Sequence, residues 1–225
     1  MTAPTAKWAA SGVALTCIGL AIAGGNLLRG SNCPHVLGAY STTLEGRSPE
    51  QLANIRKAVR LLNFRQVLPG CEFSTCQALG PTTADRGWKK AHAIIGDAME
   101  DAVAGGICQV SSTLYNAVLL SGMKIIERHA HSRPVQSVPA GRDATVAWGI
   151  ADLKFKNTIS IPVTIRSSVT GERLTIQVAA AAAGPRINLT TTQKRNGSRL
   201  VASLWKEQGG SRELISADEY RLPAR

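Results

Sequence analysis

Helical apolar spacing ahead of Gly122 and extended spacing after it predict an α+β fold. The expected arrangement is a helical N-terminal half packed on a mainly antiparallel sheet from the C-terminal half. Three observations point there. Leu52, Ile55, Val59 and Leu62 recur at intervals of three and four, the short segments beyond Gly122 do not, and Thr170-Gly171 divides two of them as a hairpin turn would. Hydrophobic residues form 44% of the 225-residue chain, enough for a core, while charged residues at 18% are too few for a coiled coil. No internal repeat and no second domain are visible.

The elements follow in order. Trp8 to Leu28 carries no charge and is long enough to cross a bilayer; Ala21-Ile22-Ala23 also resembles a signal-peptidase site. Residues 1–29 are therefore read as a signal peptide or membrane anchor, 30–183 as the main domain and 184–225 as a C-terminal extension, partly strand. Ser48, Pro49 and Gln51 write a helix start with a capping box, and Asn63 ends that helix before a Pro69-Gly70 turn. A second helix is expected over about Trp88–Met99, and a third from near Cys108 to a C-cap at Gly122. Lys124–His131, Thr145–Trp148, Asp152–Phe155, Pro162–Ser167 and Arg173–Ala179 read as short strands, and INLTTT begins a strand-like tail.

Charge and cysteines narrow the function. Lys and Arg outnumber Asp and Glu by 26 to 15, a formal +11 that favours anionic partners. Aromatic residues are only 4%, and no basic-aromatic cluster occurs, so no nucleic-acid partner is expected. An exported chain leaves wall polymers, membranes and carboxylate-bearing substrates, so the protein is expected outside the cytoplasm, periplasmic or at the cell envelope, anchored or secreted. The cytoplasmic membrane is then a partner through the N-terminal segment. Outside that segment stand Cys33, Cys71, Cys76 and Cys108; the first three allow a disulfide in more than one pairing.

Three segments carry chemistry. In Gly105-Gly106-Ile107-Cys108-Gln109-Val110-Ser111 the glycines permit a tight turn, and a cysteine opening a helix is favoured as thiolate, with N–H groups nearby for an oxyanion. A buried structural thiol is the bland alternative. In Arg128-His129-Ala130-His131-Ser132-Arg133 an extended backbone would put both histidines and Arg133 on one face, suiting base catalysis and carboxylate binding; each histidine alone could equally satisfy local hydrogen bonds. In Gly141-Arg142-Asp143, the acid could orient a histidine, pair with Arg142 or cap a turn. Cys108, His129, His131 and Asp143 are thus the catalytic candidates; Gly105, Gly106, Gln109, Ser111, Arg128, Arg133 and Arg142 are the substrate-binding ones. No metal site is expected, since Cys108, His129 and His131 lack ligand spacing, and no cofactor is expected.

The stretch GGICQVSSTLYNA, with HSRPV, GRDAT, DLKFKN and IPVTI after it, resembles the VanW family of bacterial envelope proteins. Ser41-Thr42-Thr43, Arg47, Asn54, Asn63, Pro69-Gly70 and Phe73-Ser74 fall in the family's order, and the likeness spans roughly residues 38–180. It implies cysteine-dependent L,D-transpeptidation: Cys108 forms a thioester with a peptidoglycan stem peptide and passes it to a neighbouring amine, making a 3–3 cross-link. The alternative is a non-catalytic envelope protein that binds peptidoglycan or its precursors and takes part in a glycopeptide-antibiotic response. Two positions depart from the family pattern. Ala104 stands where a third glycine is usual, and Thr75-Cys76 replaces the end of an FSFN motif.

Overall fold

The computed structural model describes residues 33–95 and 98–222, and its chain is mainly β. The segment read as signal or anchor lies outside the described residues. Among those described, no helix is long and apolar enough to cross a membrane. The chain opens with β1 (His35–Thr43), α1 (Pro49–Leu62), β2 (Gln66–Val67), β3 (Glu72–Ser74) and α2 (Thr75–Leu79). Next come β4 (Lys90–Ile95), β5 (Ala98–Val103), α3 (Ile107–Leu120), β6 (Lys124–Glu127) and β7 (Lys154–Lys156). It closes with β8 (Val163–Thr170), β9 (Arg173–Ala180), β10 (Asn188–Asn196), β11 (Arg199–Gln208) and β12 (Ser211–Arg221).

The strands form four antiparallel sheets, ordered β1-β9-β8-β2, β10-β11-β12, β3-β7-β6 and β4-β5. The expected helical N-terminal half is therefore corrected: five strands precede α3. The polar stretch before α1 is β1, paired with β9 so that Tyr40 faces Ile176. Local spacing cannot register a partner from the far end of the chain. The helix expected over Trp88–Met99 is instead the β4-β5 pair, with His92 opposite Asp101 and their side chains 2.5 Å apart. An apolar run such as Ala93-Ile94-Ile95 fits either period, and pairing decides it. Three of the expected later strands change as well: Asp152–Phe155 becomes the three-residue β7, and Thr145–Trp148 is not a strand. Lys124–His131 keeps only β6, and between β6 and β7 the chain is irregular apart from a single Ala147–Ala151 bridge. The β8-β9 hairpin turns at Gly171, whose φ of +55° suits glycine.

Helix α1 begins as its sequence prescribes. Ser48 accepts from the Gln51 N–H, and the Gln51 side chain accepts from the Ser48 N–H. Its Ile55, Ala58, Val59 and Leu62 are buried, and Ser167 of β8 donates its hydroxyl to the Val59 carbonyl at 2.8 Å. The polar side of α1 reaches the other way. Asn54 donates to the Lys89 and Gly105 carbonyls at 2.9 Å each and accepts from the Lys89 N–H at 2.8 Å, fixing the turn that leads into α3.

Helix α3 lies against α1, β1, β9 and β6 and is buried on nearly every side from Ile107 to Leu119. A helix so enclosed must satisfy its polar side chains internally. Thr113 pairs with Thr42 of β1 at 3.0 Å, while Asn116 donates to the Arg142 carbonyl at 2.8 Å. The first fastens the helix to β1, the second to the irregular segment between β6 and β7. The β10-β11-β12 sheet packs on the same segment through a small core of Ala140, Ala202 and Tyr220.

Candidate active site

Cys108 is the second residue of α3, half-buried and free, with its thiol donating to the Val146 carbonyl at 3.6 Å. The turn ahead of it explains the glycines. A Cβ on Gly105 would meet the Ala91 carbonyl oxygen at 2.4 Å, and Gly106 caps the helix at φ +101°. Ala104 also sits at a left-handed φ, +66°, so the departure from a third glycine leaves a strained backbone in place. The positive end of the helix dipole faces this first turn and favours negative charge there.

His131 meets Cys108 side chain to side chain. Its Nδ1 lies 2.6 Å from Asp143 Oδ2, which also accepts the His131 N–H at 2.7 Å. Since the carboxylate only accepts, Nδ1 carries the proton and Nε2 is left for the thiol. Burial opposes a charged imidazole, but the Asp143 bond and the Cys108 contact outweigh it and lift His131 to about 9. Burial likewise opposes the Asp143 carboxylate, yet its bond to His131 and the Arg128 charge hold it below the usual carboxylate range. The remaining oxygen, Oδ1, accepts from Arg128 Nη2 at 3.1 Å and from the Tyr220 hydroxyl at 2.5 Å. Thiol, imidazole and carboxylate thus form one chain, the arrangement a cysteine nucleophile and its base require.

The other predicted residues divide by where they point. His129 does not join the thiol: it is exposed and sits 3.0 Å from Glu127 Oε1, because the chain leaves the sheet after Glu127. Gln109 is buried and fully used, donating to Thr42 and Thr43 and accepting from Arg47 Nε at 2.7 Å. Ser111 donates to the Ala144 carbonyl at 2.6 Å. Arg128 is enclosed between Asp143, Asp218 and the Tyr115 ring, so it braces the acid rather than facing outward. Arg142 stacks over Tyr40 and donates to Asn116, with no carboxylate partner among the described residues. Arg133 is half-buried, with an Nε that lacks a hydrogen-bond partner among the described atoms.

Sequence reasoning passed over Arg47, Asp218 and Tyr220. Arg47 is half-buried beside Gln109, again with no acid partner among the described residues. The two β12 residues had no local signal, since only the tertiary fold carries them to Asp143. Cys33, Cys76 and Cys108 are free thiols, so no Cys71–Cys76 bridge forms and neither cysteine joins Cys33. Cys76 donates to the Ala151 carbonyl at 3.3 Å; burial and the Asp152 charge push it up to about 12. No group of three metal-ligating side chains occurs among the described residues.

A family model described as VanW like protein matches residues 50–179, more than half of the chain. The chain belongs to the VanW family. The matched VanW segment contains Cys108, His131 and Asp143 and ends before β10. Among curated proteins, YoaR of Bacillus subtilis (strain 168) is 39% identical over 140 residues, covering 62% of this chain and 46% of that protein. The vancomycin B-type resistance protein VanW of Enterococcus faecalis (strain ATCC 700802 / V583) is 27% identical over 132 residues, 56% of this chain and 48% of its own. The chain spans about half the length of the curated relatives it matches. No solved structure matches it.

Proposed function

We propose that this VanW protein is a cysteine acyltransferase of the cell envelope that acts on peptidoglycan stem peptides as an L,D-transpeptidase. The observation that carries the reading is the buried Asp143–His131 pair in contact with the thiol at the start of α3. In the first half-reaction the Cys108 sulfur attacks the carbonyl carbon of the donor amide. The carbon–nitrogen bond breaks, His131 gives its Nε2 proton to the leaving D-alanine nitrogen, and a thioester remains. In the second, the side-chain amine of a neighbouring stem attacks the thioester, its proton returns to His131, and the carbon–sulfur bond breaks to free the Cys108 sulfur as the 3–3 cross-link forms.

Arg47 and Arg142 support the substrate class. Both are half-buried guanidiniums without a carboxylate partner among the described residues, and both lie along α3, at Gln109 and Asn116. Stem peptides end in carboxylates, which such groups bind well. Anchoring through the N-terminal segment would hold the domain at the outer face of the membrane, and the name of the Enterococcus relative ties this reading to glycopeptide resistance.

One observation favours a second reading, a non-catalytic binder of peptidoglycan: the Cys108 thiol is itself hydrogen-bonded, to the Val146 carbonyl. Digested wall fragments incubated with wild type and with Cys108→Ala separate the two. The transferase reading expects 3–3 dimers from wild type only. Absence of such dimers from wild type, with wall binding unaffected by Cys108→Ala, would establish the binder instead.

A further inference from the structure

The VanW match ends at residue 179, yet the Asp143 carboxylate is held partly by residues far beyond it. Tyr220, near the end of β12 and fully buried, donates its hydroxyl to Asp143 Oδ1 at 2.5 Å and accepts the Gly141 N–H at 2.7 Å. Two positions earlier, Asp218 accepts from Arg128 Nη1 at 2.6 Å, and Arg128 reaches both the side chain and the carbonyl of Asp143. One position later, the Arg221 N–H donates to the Ser132 carbonyl at 2.7 Å, next to His131. A single strand end therefore grips the irregular segment at three points around the histidine and its acid.

We propose that β12 is a working part of the active site and that Tyr220 is a positioning residue, setting the Asp143 carboxylate so that Oδ2 faces His131. The inference rests on the acyltransferase reading for its purpose. The segment from Arg128 to Leu153 has no strand of its own to hold it. With Oδ1 engaged by Tyr220 and Arg128, the carboxylate plane is fixed and Oδ2 is aimed at the imidazole. Without the Tyr220 hydroxyl, Oδ1 keeps only Arg128, the Gly141 N–H loses its acceptor, and the carboxylate is free to turn. The imidazolium then loses part of its hold. The titratable and charged groups around the pair are Cys108 and Tyr115 from α3, Arg128 beyond β6, and Asp218 from β12, with Tyr220 itself.

The test uses Tyr220→Phe, which keeps the buried ring and removes only the hydroxyl, in the full chain. The rate of Cys108 alkylation by iodoacetamide is followed from pH 5 to 10 by peptide mass spectrometry. The transition assigned to His131, identified by its absence in His131→Gln, should move down by up to about one pH unit in Tyr220→Phe, the share of the Asp143 pairing lost when the carboxylate turns away from the imidazole. Asp218→Asn, which loosens Arg128 nearer the surface, should move it in the same direction by less. Superimposable profiles for wild type and a folded Tyr220→Phe would overturn the proposal. Should Tyr220→Phe fail to fold, an unchanged profile in Asp218→Asn would do so. Alkylation needs no substrate, so a shifted profile without any cross-linked product would sink the acyltransferase reading and leave the positioning role standing.

Discussion

Replacing Asp143 with Asn tests how the site is held together. The carboxylate is buried and accepts four hydrogen bonds, two at each oxygen: His131 N and Nδ1 at Oδ2, Arg128 Nη2 and Tyr220 at Oδ1. An amide keeps one oxygen and puts an NH2 group in the place of the other. Whichever way it turns, Arg128 Nη2 or the His131 N–H, neither of which can accept, faces another donor, and the buried Arg128 and His131 charges lose their counter-charge. A hydrogen bond to a charged group contributes about 1.5–3 kcal/mol, and breaking a buried pair by removing one partner costs about 3–5 kcal/mol. Asp143→Asn is therefore expected to destabilise the protein by about 3–5 kcal/mol, much of the roughly 5–15 kcal/mol that holds a domain folded. Urea unfolding of the two proteins at pH 7 measures it. A loss below about 1 kcal/mol would refute the account of Asp143 as the shared acceptor of the site.

Stability should also follow pH through His131. Because folding raises its pKa from an ordinary 6.5 to about 9, its contribution is fully present below 6.5 and is lost as pH climbs through 9. Urea unfolding at pH 6 and pH 10 should differ by about 2–3 kcal/mol from this group, and His131→Gln should remove that component. Gly105→Ala pushes a methyl into the Ala91 carbonyl and should cost about 2 kcal/mol or more in thermal unfolding, with slower Cys108 alkylation; a neutral result would contradict the close approach of β4. Cys76, pushed up to about 12, should stay unmodified at pH 9 under conditions that label Cys108, as peptide mapping would show.

What could be read from the residues was local. The Ser48–Gln51 box, the α3 start at Cys108 and the turn at Gly171 each announce themselves within a few positions. The pairing of β1 with β9 does not, and neither does the grip of β12 on Asp143, because their partners lie far away in sequence. His129 and His131 illustrate the same limit. Alternation put both on one face, but the backbone beyond Glu127 leaves the sheet, and only His131 turns inward to the acid and the thiol. Arg128 looked like a carboxylate receptor by residue type, whereas its place between Asp143 and Asp218 makes it a brace.

Acylation of Cys108 is the step on which the proposed reaction depends. Wild-type protein and the Cys108→Ala and His131→Ala variants would be mixed with a tetrapeptide stem fragment and their intact masses recorded. A hydroxylamine-sensitive adduct is expected on wild type, matching the stem acyl group less D-alanine, and none on Cys108→Ala or His131→Ala. Wild-type protein that remains unmodified with a folded site, or an adduct that survives in Cys108→Ala, would contradict the proposed reaction.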